Sequence, residues 1–208
     1  MPRISREESD ARREAVIDSC EALYRAGGYR DVTMTQIAEG VPFGRANVYN
    51  YFQSADEVLL ALMQREHALW ADDLEELVPD AGGLGDEGLA DALAQTVARR
   101  VQMLRLLAMN LYDMEQNSRV ENLVDFKRTY ARTIAALKRL VRAAKPGWDE
   151  ARADRFALAF MPFLHGAYPY AFHTEKQAEA MREAGMPDVD ADLAWLVRSC
   201  ALALLRAE

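Results

Sequence analysis

Apolar residues along this chain recur three and four positions apart and rarely alternate. That pattern predicts helices from end to end. A first stripe is formed by Ala15, Val16, Cys20, Leu23 and Tyr24. It opens at Ser5 with Glu8, a capping-box pair, and closes at Gly27 and Gly28. Thr33 with Gln36 is a second box and starts a short helix through Ile37 and Ala38. Pro42 drives Val41 out of the α region, so that helix stops there. A third short helix is predicted from Arg45 to about Tyr51. Ser54 with Glu57 opens a long fourth, "SADEVLLALMQREHALWADDLEELV", which ends at Pro79.

The stretch "PDAGGLGDEG" at 79–88 has the composition of a loop. Helices are predicted beyond it at about Asp86 to Arg99 and Val101 to Glu115. A Ser118/Glu121 box predicts another from Arg119 to about Ala144. In "DEARADRFALAFMPFLHGAYPYAFH", Pro162 and Pro169 are expected to kink or break the helix. Thr174 with Gln177 caps a short helix ended by Gly185 and Pro187. The last helix, about Asp190 to Arg206, carries Leu193, Leu196, Val197, Cys200, Leu204 and Leu205. No internal repeat is visible.

Three short helices ending at residue 51, with a tight turn between the second and third, describe a helix-turn-helix module. Such a module lays its last helix in the major groove of DNA. In "VPFGRANVYNYF" (41–52), Gly44 is the expected N-cap, and Val48 and Phe52 are the expected core face. Arg45 and Tyr49 then share one outward face, and Asn47 and Tyr51 a neighbouring one. Arg45 has the fork that reads guanine O6 and N7. Asn47, Tyr49, Asn50 and Tyr51 offer neutral hydrogen bonds to phosphates or bases. Thr33, Thr35 and Ala46 complete the candidate DNA-contacting set. An ordinary bundle helix is the competing reading of these residues, and Asn50 serves equally well as a helix C-cap.

The same residues resemble a family. "VTMTQIAEGVPFGRANVYNYFQSADEVLL" is similar to the DNA-binding segment of the tetracycline-repressor (TetR) family of bacterial transcriptional regulators. The family pattern runs T-x-x-x-I-A, a turn, a short recognition helix, Y-x-Y-F, then S-K-E-x-L. This chain supplies Thr33, Ile37, Ala38, Tyr49, Tyr51, Phe52, Ser54, Glu57 and Leu59 at the matching spacing. The resemblance is specific over about residues 12–65. Beyond it, "YDMEQNSRVENLVDFK" is similar to one subgroup of the family's effector domains. The resemblance implies an all-α fold: a helix-turn-helix DNA-binding domain at 1–53, then a helical effector-binding and dimerisation domain at 54–208. Residues 54–78 form the connecting helix. It also implies a dimeric repressor that binds a palindromic operator on double-stranded DNA and releases it when a small-molecule effector binds. Two places depart from the family. The turn reads Val41-Pro42-Phe43-Gly44 in place of Ala-Gly-Val-Ser, and Ala55 replaces the usual Lys.

Charge complicates this picture. The 208-residue chain carries a formal net charge of -8. Residues 1–53 hold seven Arg and no Lys against eight Asp or Glu. Most DNA-binding domains are more basic. Arg3, Arg6, Arg12 and Arg13 are candidates for a local positive arm, with the acids turned away. The alternative function is a helical small-molecule-binding protein whose DNA binding has weakened or been lost. The only two cysteines, Cys20 and Cys200, form no framework or CxxC pair, and the first residues lack an apolar core. A reducing cytoplasm and no membrane partner are therefore expected.

The second half offers candidates for a pocket. Asn110 is a polar group on the stripe of Met103, Leu107 and Met114. His165 and Tyr168 sit in an apolar run. With Tyr112, Phe126, Tyr130 and Met161 these are the candidate effector-binding residues, in the usual mix of apolar walls and few polar groups. A plain core with buried hydrogen bonds is the competing reading. Phe156, Phe160, Phe163, Trp195, Leu196 and Cys200 are candidates for a four-helix dimer interface. The three histidines (His67, His165 and His173) have no metal-ligand spacing, and no nucleophile or phosphate-loop motif is present. No metal, cofactor or catalytic residue is expected, which argues against an enzyme.

Overall fold

The computed structural model describes residues 5–186 and 192–207, and no strand occurs among them. Ten helices are described: α1 Arg6–Ala26, α2 Met34–Glu39, α3 Arg45–Val48, α4 Ala55–Leu77, α5 Asp86–Ala98, α6 Val101–Gln116, α7 Val120–Ala144, α8 Glu150–Ala171, α9 Glu175–Glu183 and α10 Leu193–Arg206. The all-helical reading holds. Short 3-10 turns form at Tyr29–Asp31 and at Val78–Gly83, within the stretch that reads as a loop. The chain divides into two compact units: residues 1–65 with 110–129, and residues 66–109 with 130–208.

In the first unit, helix starts follow the caps that the sequence supplies. Ser5 Oγ accepts from Glu8 N–H, and Thr33 Oγ1 accepts from Gln36 N–H. Ser54 Oγ accepts from Glu57 N–H at 3.2 Å. Each satisfies an N–H that the first turn of a helix leaves unpaired. The core is made by Val16, Ile17, Cys20 and Tyr24 of α1, Ile37, Val48, Phe52, and Val58, Leu59 and Leu62 of α4. Arg65 on α4 pairs with Asp18 at 2.6 Å and with Glu21, both on α1.

Helices α1 and α2 approach closely at Gly40. The Ser19 hydroxyl donates to Ile37 O at 2.9 Å, and a Cβ on Gly40 would overlap that hydroxyl. Gly40→Ala is expected to force Ser19 off its acceptor and to cost about 1–2 kcal/mol. Urea unfolding checks this; an unchanged midpoint would contradict so tight a contact.

In the second unit, α10 packs on α5 and α8. Arg198 pairs with Asp91 at 2.6 Å and with Glu87, to which Arg206 also bonds at 2.5 Å. Trp70 Nε1 donates to Thr96 Oγ1, which donates in turn to Leu93 O, so these buried polar atoms are satisfied. Helix α8 starts at Asp149, whose carboxylate accepts from Arg152 N–H, and runs unbroken through Pro162 and Pro169. The expected break does not occur. Each Pro removes one backbone donor, and both rings lie on the exposed side of the helix. Thr174 and Gln177 form the complete capping box, and Gly185 follows α9 at φ +66°, where glycine avoids strain. Pro187 and the expected start of the last helix at Asp190 lie outside the described residues. Asp192 is the N-cap of α10.

The Ser118/Glu121 box is a further correction. The Ser118 hydroxyl donates to Met114 O at 2.6 Å, so Ser118 closes α6 rather than opening α7. The α7 ladder starts with Leu123 N–H donating to Arg119 O.

Candidate functional site

The turn Val41–Gly44 leads into α3 with Gly44 as N-cap in extended conformation (φ −61°, ψ 147°) and no side-chain cap. Helix α3 is shorter than its sequence suggests. It ends at Val48, and the chain continues to Tyr51 through tighter bonds, Asn50 N–H to Asn47 O and Tyr51 N–H to Val48 O. The C-cap is Tyr49, so Asn50 does not take that place. Val48 and Phe52 are buried and fix the inner face. On the outside, Arg45, Ala46, Tyr49 and Asn50 are exposed, and Asn47 and Tyr51 are half-buried. Arg45 Nη2 donates to the Tyr49 hydroxyl at 3.3 Å, and its guanidinium carbon lies 5.9 Å from the Tyr49 ring centroid. Tyr49 thus holds a cationic fork outward. Thr33 and Thr35 are exposed at the start of α2. The first unit brings the eight candidate DNA-contacting residues together.

The positive arm is corrected. Arg12 pairs with Glu8 at 2.7 Å and lies over the Phe43 ring, while Arg13 pairs with Glu14 and lies over Phe52. Both cations are paired with exposed carboxylates and rest against aromatic rings rather than reaching free into solvent. Arg6 is exposed, and Arg3 lies outside the described residues. Arg30, which the sequence reading passed over, is exposed on the turn before α2 and has no ion pair among the described residues. Its signal was present: it lies three residues before Thr33.

A second missed residue is Arg119. Glu57 is 1% exposed, and its carboxylate accepts from Gln53 N–H at 2.7 Å, Arg119 N–H at 3.0 Å and Arg119 Nε at 2.7 Å. Arg119 Nη2 also reaches Tyr51 O at 3.1 Å. Burial alone would raise the Glu57 carboxyl; the bonds from Arg119 and Gln53 outweigh it and hold it below the usual carboxylate range. Asp56, beside it, accepts from the Tyr29 hydroxyl at 2.7 Å and from Asn117 Nδ2 at 2.8 Å. No local pattern marks Arg119, because its partners lie more than sixty residues away.

The candidate effector residues are divided between the units. Asn110, Tyr112, Met114 and Phe126 belong to the first, and Met103, Leu107, Tyr130, Met161, His165 and Tyr168 to the second. Met103, Leu107, Met114, Phe126 and Met161 are buried, while Tyr130, His165 and Tyr168 are half-buried. Tyr112 is 78% exposed and lines no interior wall of this chain. Its position on the outer side of α6 explains the correction. Asn110 Oδ1 and Asn122 Nδ2 are buried with no hydrogen-bond partner among the described residues. His67, weighed in the sequence only as a metal ligand, is fully buried edge-on against Tyr130, with ring centroids 5.2 Å apart.

The candidate interface residues also separate. Phe156 and Phe160 are buried within the chain and stack at 5.4 Å, with Trp148 against Phe156, so they are core and not surface. Phe163, Leu196 and Cys200 are half-buried, and Trp195 is 55% exposed. Leu158, one turn before Pro162 on α8, is 73% exposed and was missed. Burial pushes the Cys200 thiol up to about 11. No group of acidic, His or Cys side chains suited to a metal ion occurs among the described residues, and no helix there is long and apolar enough to cross a membrane.

Comparisons with known proteins agree with this arrangement. Residues 16–62 match the family described as bacterial regulatory proteins, tetR family, and residues 64–206 match the family of tetracyclin repressor-like C-terminal domains. The uncharacterized HTH-type transcriptional regulator YfiR of Bacillus subtilis (strain 168) is 25% identical over 63 residues; the match spans 30% of this chain and 31% of that relative. Among solved structures, a TetR-family regulator from Mesorhizobium loti shares the fold at TM-score 0.62 and 15% identity, covering 97% of this chain and 98% of that one. The fatty acid degradation regulator FadR from Bacillus halodurans does so at TM-score 0.61 and 15% identity, covering 93% and 94%. RolR in complex with resorcinol aligns at TM-score 0.57 and 17% identity, covering 95% and 96%. With both segments matched in order, the chain belongs to the TetR family and is a DNA-binding transcriptional regulator, not an enzyme.

Proposed function

We propose that this regulator is a cytoplasmic homodimeric repressor that binds a palindromic operator and is released by a small-molecule effector. One observation carries the DNA-reading part. The α3 segment buries Val48 and Phe52 and turns Arg45, Ala46, Tyr49 and Asn50 outward, with Asn47 and Tyr51 at the margin. Arg45 is the expected base reader. Thr33, Thr35 and the tyrosine hydroxyls suit phosphate oxygens. Two such helices, one per protomer, must lie about 34–36 Å apart to enter successive major grooves.

For the effector, Asn110 Oδ1 supports the reading in the first unit, since a buried acceptor without a donor costs free energy until something pairs with it. Met114 and Phe126 supply apolar wall there. In the second unit Met103, Leu107 and Met161 supply apolar surface, and Tyr130, His165 and Tyr168 the polar groups. An effector releases DNA only through differential affinity for the two states. RolR, which shares the fold, holds resorcinol in its complex. For the dimer, the exposed apolar side chains of α8 and α10 support a helix-to-helix interface, with Leu158 and Trp195 at its surface.

A second reading, an effector-binding protein with weakened DNA binding, draws on the pairing of Arg12 and Arg13 with carboxylates and on the bare N-cap at Gly44. Selection of bound sequences from a random duplex pool separates the two. A palindromic consensus with half-sites one helical turn apart is expected. Failure to enrich any sequence at low salt would favour the second reading.

A further inference from the structure

The DNA-reading segment is held at its far end by a single side chain from elsewhere in the chain. Tyr51, the last residue of that segment, gives its carbonyl to Arg119 Nη2 at 3.1 Å. The same guanidinium bonds both oxygens of Glu57, at 2.7 Å and 2.9 Å. Glu57 in turn holds the Gln53 N–H, just past the reading segment. Around this clasp, Asn117 Nδ2 donates to Asp56, and the Ser54 hydroxyl donates to Asn117 O at 3.4 Å. All of these residues lie in the first unit. The turn 117–119 joins α6 to α7, the helices that carry Asn110, Met114 and Phe126.

We propose that Arg119 is a positioning residue for DNA recognition. It fixes the end of the recognition segment to the α6–α7 turn through Tyr51 O and Glu57. The geometry favours this over a passive surface ion pair. An exposed pair contributes little, whereas here one partner is fully buried and the guanidinium makes three bonds, two to the Glu57 carboxylate and one to the Tyr51 carbonyl. A planar fork can serve a carboxylate and a carbonyl together; an ammonium cannot hold the same set in one plane. A shift of the turn is then a shift of the surface that presents Arg45 and Tyr49. The inference rests on the DNA-reading assignment above.

The test compares affinity for the operator consensus with affinity for unrelated duplex DNA at one salt concentration, alongside thermal unfolding. Arg119→Ala leaves Glu57 buried without its cation, so Arg119→Ala combined with Glu57→Gln is measured as well. Both variants are expected to lose about two- to thirtyfold in the ratio of specific to non-specific affinity. Simple loss of folded protein would lower the two affinities together and leave the ratio unchanged. An unchanged ratio in the folded double variant would overturn the proposal while leaving DNA binding intact. If the unmodified protein itself prefers no sequence, the DNA-reading assignment falls and this inference with it.

Discussion

Arg45→Ala is expected to weaken operator binding by about 1–3 kcal/mol per half-site, roughly five- to 150-fold, with the fold unchanged. The side chain is exposed and contributes nothing to the core that Val48 and Phe52 form. Its only described contacts are with Tyr49, through the hydroxyl and the ring face. The loss should fall on sequence preference. A reader of guanine O6 and N7 loses discrimination at one base pair of the consensus, and other positions keep theirs. A phosphate contact behaves differently. It carries no sequence information, and its removal lowers the slope of log affinity against log salt by about 0.9. Measuring the consensus and the salt slope of Arg45→Ala together decides between them. A relaxed position with an unchanged slope supports base reading, and an intact consensus with a shallower slope removes it. Tyr49→Phe is a milder companion, because it deletes the hydroxyl that steadies the fork.

The helices were legible in the sequence because their starts and stops rest on local chemistry. Ser5, Thr33, Ser54 and Thr174 each cap the N–H three residues on. The same local logic fails where a hydroxyl has a choice of partner: Ser118 bonds back to Met114 O and does not open α7. It fails again at Pro162 and Pro169, where α8 runs unbroken despite two missing donors. The inner and outer faces around α3 follow from a spacing of four between Val48 and Phe52. The pairing of Arg12 and Arg13 does not, since charge counting cannot tell which cations will find a carboxylate and an aromatic face. Arg119 is the clearest limit. Its role depends on partners at residues 51 and 57, the latter also holding the Gln53 N–H, and no window of sequence contains both ends. Likewise the apolar run of α8 does not reveal which of its residues face inward. Phe156 and Phe160 fill the core, and Leu158 between them points out.

That outward position gives the other large effect. If α8 and α10 form the proposed dimer interface, Leu158→Asp together with Trp195→Asp is expected to leave a monomer and to lower operator affinity by about 100- to 10,000-fold. In the single chain, Leu158 is 73% exposed and Trp195 is 55% exposed, and α8 and α10 pack together in the second unit. Burying such side chains is worth about 1.5–3 kcal/mol each, and a two-fold interface counts every one twice. Carboxylates at these positions would be buried in the proposed interface, where desolvation and like charge both oppose association. The folded chain should tolerate both changes, since neither side chain belongs to the buried set. The loss of DNA affinity then follows from valency alone. One protomer engages one half-site, and the second recognition helix no longer arrives at the high effective concentration that a dimer provides. Sedimentation and operator titration on the same sample test the chain of reasoning at two points. A variant that still sediments as a dimer removes α8 and α10 from the interface. A true monomer with undiminished operator affinity removes the need for two half-sites.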